Sequence, residues 1–117
     1  MKKLLSGMSS ETRTGPEDHR KPFVDRFFDS AARGNTEELK HLLKATVKVD
    51  ERNESGWTGL MLASRYGHSN IVKVLLEQGC DVNLVNKTGQ TALDIAQFWD
   101  QSEETDIIMS HVKHDNP

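Results

Sequence analysis

The sequence predicts an all-α fold, a solenoid of about three helix-turn-helix repeats with short turn tips. Two observations predict it. One segment recurs at a constant offset of 33 residues without a gap, and each copy carries the residue types that begin and end two helices. A single unit of this kind cannot bury its apolar face alone, and three copies are about the minimum for a continuous core.

The recurrence is clearest around two glycine-led turns. Residues 56–58 read Gly-Trp-Thr and residues 89–91 read Gly-Gln-Thr, and the same offset pairs Leu60 with Leu93. Because the matches keep one spacing, they indicate structural repeats that stack on one another. The predicted domain covers residues 23–114, with repeats at about 23–52, 53–85 and 86–114.

Each copy predicts an inner helix followed by an outer helix. Thr58 and Thr91 stand where a helix N-cap is needed, since a threonine hydroxyl can accept a hydrogen bond from a free backbone N–H. Gly34 and Gly67 stand at helix exits, where a left-handed residue is favoured. The inner helices are predicted at about 24–33, 59–66 and 92–99.

The outer helices carry two further predictions. Asn35, with Glu38 three residues later, predicts a capping box at the first outer helix. In the third copy Glu104 and Thr105 stand where the second copy has the apolar pair 71–72. We therefore expect a polar face at that end of the stack, as a terminal repeat requires.

A 33-residue unit of one turn and two helices, with Thr-x-Leu opening the inner helix, resembles the ankyrin repeat. Residues 67–83, GHSNIVKVLLEQGCDVN, are similar to the family's GHxxIVxxLLxxGADVN. The resemblance implies a stiff scaffold that binds a partner protein. The family's Thr-Pro-Leu-His is replaced by Thr-Gly-Leu-Met at 58–61 and Thr-Ala-Leu-Asp at 91–94, so we expect weaker locking of these helices. Asp100 replaces the usual glycine.

Some runs go beyond the general repeat pattern. GWTGLMLASRYGH at 56–68 and VNKTGQTALDIAQFW at 85–99 are similar to the N-terminal ankyrin region of the Nudix-type NADH pyrophosphatases of peroxisomes. The similarity stops after Trp99. This resemblance implies an alternative function, the interaction and assembly region of such a hydrolase. The Nudix catalytic motif, with its Arg-Glu-x-x-Glu-Glu core, does not occur in this sequence.

The resemblance also implies which residues face a partner. In an ankyrin stack, residues beside the turn glycine and at the end of the inner helix face the concave side. At the turns these are Glu54, Ser55, Trp57, Lys87, Thr88 and Gln90. At the helix ends they are Arg65, Tyr66, Phe98 and Trp99, with Ala32 and Arg33 in the first copy. Aromatic residues beside arginine are typical of interface hot spots. The alternative, that Trp57 and Trp99 cover the core edge, stays open.

No motif for catalysis, cofactor binding or metal binding occurs. The sequence has no phosphate-binding glycine loop, no H-E-x-x-H and no cysteine pair. We expect His111 and His114 to be solvated and not to be metal ligands. Cys80 and His68 could suggest a nucleophile with its base, but the resemblance implies packing for the cysteine and a backbone hydrogen bond for the histidine. The sequence therefore predicts that this protein is not an enzyme.

Composition narrows the remaining classes. The net charge of −3 and the lack of a basic face argue against nucleic-acid binding. No apolar run approaches the roughly 18 residues that span a bilayer, and the N-terminal MKKLL is too short for a signal peptide. We expect an intracellular, cytoplasmic or nuclear, protein with a disordered arm at 1–22 and a tail at 115–117. Self-association stays open.

Overall fold

The structure, a computed structural model, describes residues 19–115, with side chains to residue 112. Its helices are α1 Lys21–Arg33, α2 Thr36–Ala45, α3 Gly59–Tyr66, α4 Ser69–Glu77, α5 Ala92–Phe98 and α6 Ser102–Asp115. Within residues 19–115 no β-strand forms, and a single antiparallel bridge joins Arg52 to Thr58. The all-α repeat fold is confirmed. The predicted arm lies outside the described residues except for 19–22, and Lys21 and Pro22 already belong to α1.

The helices form two layers. In the inner layer α3 contacts both α1 and α5, and in the outer layer α4 contacts both α2 and α6. Each inner helix also contacts the outer helix that follows it in the chain. The core lies between the layers, and its largest fully buried apolar side chains are Phe27, Leu39, Met61, Ile71, Leu75, Ile95 and Ile108.

Threonine caps begin the second and third inner helices. Thr58 Oγ1 accepts a hydrogen bond from Met61 N at 3.3 Å, and Thr91 Oγ1 accepts one from Asp94 N at 3.1 Å. The Asp94 carboxylate in turn accepts from Thr91 N at 3.1 Å, which completes a capping box. Thr91 Oγ1 and the Asp94 carboxylate thus each hold one backbone donor at the start of α5, and the weaker locking expected for these helices stays a prediction.

Gly59 replaces the family's proline for a packing reason. A Cβ at this buried residue would lie 3.0 Å from the ring of Phe27, which is itself fully buried. Because that distance is tighter than nine in ten real Cβ contacts, a larger residue at 59 would require the buried Phe27 ring to shift. The substitution thus lets α1 approach α3.

The capping box predicted at Asn35 and Glu38 is only half formed. Asn35 Oδ1 accepts from Glu38 N at 3.2 Å, as predicted. The Glu38 carboxylate, however, accepts from Arg26 Nε at 2.9 Å, and Asn35 N donates to Ser30 O. The prediction is wrong on this second bond, because Arg26 on the neighbouring helix offers a charged donor.

One repeat position needs a left-handed backbone in all three copies. Its φ angles are 84° at Gly34, 75° at Gly67 and 61° at Asp100. A Cβ at Gly34 would lie 2.7 Å from His68 Nδ1, and a Cβ at Gly67 would lie 2.8 Å from Gln101 Oε1. In the first two copies glycine is favoured for two reasons, the left-handed backbone and the lack of space for a Cβ. In the third copy the residue is aspartate, which tolerates the left-handed region better than most residues.

The third copy differs from the expected polar end face at one position. Glu104 has only 3% of its surface exposed and is buried like Ile71, its equivalent in the second copy. The expectation is wrong for this residue, whose carboxylate lies in the first turn of α6, where the positive end of the helix dipole favours it. Thr105 is half-buried, and Asp94 and Gln97 of α5 are exposed.

No helix within residues 19–115 combines the length and the apolar character needed to cross a bilayer.

Candidate protein-interaction surface

Side chains at the C-terminal ends of α3 and α5 gather into one exposed cluster. We call these four residues the aromatic cluster: Arg65, Tyr66, Phe98 and Trp99. They occupy two neighbouring repeat positions, and the packing of α3 against α5 brings them together. The exposed fractions are 48% for Tyr66, 72% for Phe98 and 45% for Trp99. Large rings with this much surface in water are available to a partner.

Arg65 joins the rings of the cluster. Its guanidinium carbon lies 4.9 Å from the centroid of the Tyr66 ring and 4.6 Å from that of the Trp99 ring. The Phe98 ring meets the Trp99 ring edge-on, with centroids 5.4 Å apart and an interplanar angle of 77°. Each cation–π contact at an exposed site contributes about 0.5–1 kcal/mol. The four side chains therefore restrain one another before any partner binds.

The backbone below the cluster is fixed by a side chain from the next repeat. Gln101 Nε2 donates a hydrogen bond to the carbonyl oxygen of Arg65 at 2.8 Å. His68 Nε2 donates in the same way to the carbonyl oxygen of Ala32 at 2.8 Å. The backbone hydrogen bond expected for His68 is confirmed. Sequence reasoning missed Gln101, although its place 33 residues after His68 is a signal that could have found it.

The turn-tip residues divide into exposed and structural ones. Exposed to solvent are Glu54, Ser55, Lys87 and Thr88. Gln90 is half-buried, and its Oε1 accepts hydrogen bonds from Asn86 Nδ2 and from Thr88 Oγ1, both at 3.1 Å. The Gln90 amide oxygen is thus used inside the turn, which leaves this residue less free to contact a partner.

Trp57 is half-buried and packs against the hydrophobic core. Its backbone is held by Asn53, whose Oδ1 accepts from Trp57 N at 2.9 Å and whose N donates to Trp57 O at 2.9 Å. Its ring covers the core edge, which was the alternative left open above, and a contact of Trp57 with a partner stays a prediction. The two tryptophans therefore differ, and Trp99 is the more accessible of them.

The first repeat has no counterpart of the cluster. Ala32 is half-buried, and Arg33 Nε lies 3.2 Å from Asp29 Oδ1 in an exposed ion pair. With no ring at these two positions, the aromatic cluster is confined to the second and third repeats.

The residues considered for catalysis are held in structural roles. Burial, together with the negative charges of Asp50 and Asp81, raises the pKa of the Cys80 thiol to about 12. A thiol in that state stays protonated at neutral pH and is a poor nucleophile. Within the described residues no three His, Cys, Asp or Glu side chains are grouped to hold a metal ion. The His114 side chain lies outside the described part of the chain.

A comparison with protein families decides the class of the repeats. The model of ankyrin repeats in three copies matches residues 27–115. The chain belongs to the ankyrin-repeat family. Its two helical layers, threonine caps and left-handed helix exits are therefore those of an ankyrin stack, and the predicted family is confirmed.

Two kinds of curated protein share this ankyrin domain at high identity. The chain is 47% identical over 93 residues to the NAD-capped RNA hydrolase NUDT12 of Pongo abelii, covering 79% of this chain and 19% of that protein. It is 51% identical over 77 residues to NUDT12 of Homo sapiens, covering 65% of this chain and 17% of that protein. It is 38% identical over 93 residues to the protein phosphatase 1 regulatory subunit 12A of Mus musculus, covering 80% of this chain and 9% of that protein.

The relatives confirm the predicted resemblance to the ankyrin region of a Nudix-type hydrolase. The chain spans about a fifth or less of the length of these relatives. The similarity to NUDT12 covers the ankyrin part alone.

Proposed function

We propose that this chain is a non-catalytic adaptor, an ankyrin module that binds a partner protein through its aromatic cluster and exposed turn tips. Ankyrin repeats imply a protein-interaction module, and the identity of the surface is the part we add. The observation that carries it is the exposure of three rings, two of which contact Arg65 while the third, Phe98, meets Trp99. Rings and arginine that are already restrained lose little side-chain entropy on binding.

The size of the rings supports the same surface. A tryptophan or phenylalanine buries about 150–250 Å² when fully covered. Covering the exposed part of Trp99 or Phe98 would remove roughly 100 Å² or more from water, about 2.5 kcal/mol each at 25 cal/mol per Å². Two such rings beside an arginine are enough to form the centre of a hot spot. At the turn tips, Glu54, Ser55 and Lys87 are exposed as well.

Site-specific photo-crosslinking tests the proposal. A benzophenone amino acid would replace Phe98 in the full chain, and a matched control would carry it at Met109 on α6, which is 42% exposed. We expect a partner to be covalently captured from position 98, and unlabelled parent chain to compete with that capture. Equal capture from both positions, or none from position 98, would contradict the proposed surface.

A second candidate is favoured by the identity of 47–51% with NUDT12. In this alternative the residues form the interaction and assembly region of a longer hydrolase, and the same cluster would join that hydrolase to a partner or to a second copy. Intact-mass analysis of the endogenous polypeptide separates the two. A product near 13.2 kDa supports the adaptor, and a much larger product supports the hydrolase region.

Under either candidate we propose that the 117 residues do not themselves cleave NADH or NAD-capped RNA. The Nudix motif is absent from the sequence, and the one thiol is buried with a raised pKa. Measurable turnover by the purified chain would overturn this. We propose an intracellular location, cytoplasmic or nuclear. We also propose no direct binding to nucleic acid, and an affinity for nucleic acid that does not rise as the salt concentration falls would support this.

A further inference from the structure

We infer that Arg65 is an anion-recognition residue, whose guanidinium binds a side-chain carboxylate of the partner protein beside the apolar contact made by Phe98 and Trp99. The inference rests on the proposed function and makes it more specific. It states what the partner presents: an Asp or Glu next to a large apolar side chain. Nothing in the ankyrin pattern requires this, since the first repeat has alanine at the equivalent position, Ala32.

Arg65 stands apart from the other arginines of the described chain. Three of those pair with carboxylates: Arg20 with Glu51, Arg26 with Glu38 and Arg33 with Asp29. Arg52 donates to the backbone oxygen of Val85. Within residues 19–112, Arg65 has no carboxylate within ion-pair distance, and its guanidinium is placed by the Tyr66 and Trp99 rings alone.

Within residues 19–112, no hydrogen bond or ion pair uses the N–H donors of Arg65, whose contacts are with two rings. Aromatic rings contact the faces of a guanidinium, whereas its N–H donors lie in its plane and point outward. Five donors in a fixed fork match the two oxygens of a carboxylate. The Arg65 side chain is therefore restrained by contacts that do not use its hydrogen-bonding capacity.

The surroundings strengthen such a bond. Arg65 is half-buried, and its guanidinium carbon lies within 5 Å of the centroids of two rings, those of Tyr66 and Trp99. A partner side chain that covers Phe98 and Trp99 would also exclude water from the Arg65 edge, and a charge pair is stronger where the local dielectric is low. A carboxylate and an apolar group offered together would each improve the binding of the other.

Selection from a random peptide library tests the inference without a known partner. Dodecamer peptides displayed on phage would be selected against the full parent chain and against Arg65→Gln. The matched control is Arg33→Gln, which removes an arginine already paired with Asp29. We expect parent and Arg33→Gln to enrich peptides with Asp or Glu beside an apolar residue, and Arg65→Gln to lose the acidic preference.

Affinity measurements on a selected peptide then test the geometry. We expect its Kd to rise at least about tenfold with Arg65→Gln and by a smaller factor with Arg65→Lys, which keeps the charge and loses the fork. Replacing the peptide's acid by its amide should match the Arg65→Gln loss. A synthetic peptide with phosphoserine at that place should bind less well than the carboxylate, and tighter phosphopeptide binding would overturn the assignment to a carboxylate.

The failures of the two proposals are distinguishable. Peptides that need Phe98 and Trp99 but show no acidic preference would overturn the role of Arg65 and leave the surface in place. Peptides whose binding is unchanged by Phe98→Ser and Trp99→Ser, or a selection that yields no binder, would contradict the surface itself and the inference with it.

Discussion

Gln101 and His68 are structural equivalents, one repeat apart. Each side chain lies over the left-handed glycine of the preceding repeat and donates one hydrogen bond of 2.8 Å to the carbonyl oxygen of the residue two before it. For Gln101 that residue is Arg65, so the contact which joins the third repeat to the second also fixes the backbone under the aromatic cluster.

An amide and an imidazole serve this contact equally, so we expect the two residues to be exchangeable. His68→Gln and Gln101→His should each leave the free energy of unfolding within about 0.5 kcal/mol of the parent. His68→Ala or Gln101→Ala should lower it by about 1 kcal/mol, since a hydrogen bond is lost. For a domain of this size, that loss lowers the melting temperature by roughly 4–8 °C, measurable by circular dichroism. Exchanges that destabilise as much as the alanine variants would contradict the equivalence.

The left-handed position predicts opposite effects in different repeats. Gly67→Ala should destabilise by more than about 1 kcal/mol, because it adds a Cβ at a φ of 75° and close to Gln101. Asp100→Gly should stabilise by a few tenths to about 1 kcal/mol, because it relieves a φ of 61° on a residue with a Cβ. Urea denaturation measures both. A stabilising Gly67→Ala, or an Asp100→Gly that weakens the fold, would count against this account of the turn.

Cys80 predicts a pH effect of definite sign. Its thiol pKa is raised in the folded chain from 9.0 to about 12. Between these values an unfolded chain loses the proton that the folded chain keeps, so the stabilising contribution is complete below pH 9 and is lost as the pH rises toward 12. Cys80→Ala lacks this loss. Relative to its difference from the parent at pH 7, the variant should gain on the order of 1 kcal/mol by pH 10.

The comparison of two unfolding curves at each pH isolates this group, because all other titratable groups are common to the two chains. A stability difference that stays constant from pH 7 to pH 10 would show that the thiol ionises as readily in the folded chain as in the unfolded one.

Substitutions of Trp57 and of Phe98 should differ in their effect on the free energy of unfolding. Trp57→Ser should lower the free energy of unfolding by about 2 kcal/mol or more, since its half-buried ring packs on the core. Phe98→Ser should change it by less than about 0.5 kcal/mol, because most of the ring is in water. Chemical denaturation of the two variants measures the contrast. Equal losses would mean that Phe98 is as much a core residue as Trp57.

Much of the fold is predictable from the sequence, because repeats impose the same local chemistry several times. The constant offset places both threonine caps and both left-handed glycines, and all four are found in the structure. One error lies where a side chain has two competing partners. Glu38 has the charged donor of Arg26 within reach, and nothing in the local pattern of α2 reports that neighbour.

The candidate surface is predictable in a weaker sense. The resemblance selects the concave positions, but it cannot distinguish a ring that lies on the core from a ring in water, as the contrast of Trp57 with Trp99 shows. The contacts of Arg65 with the Tyr66 and Trp99 rings depend on rotamers and on the spacing of α3 and α5. These are set by the packing of residues far apart in sequence, so periodicity does not reveal them.

The central claim is that the aromatic cluster binds a partner and is dispensable for folding. The most direct test is the Kd of the partner captured from position 98 for the parent and for the double variant Phe98→Ser/Trp99→Ser, with the melting temperature of each chain measured in parallel. We predict a Kd at least about tenfold higher for the double variant, because two hot-spot rings are lost, and a melting temperature changed by only a few degrees. An unchanged Kd in a folded double variant would contradict the claim.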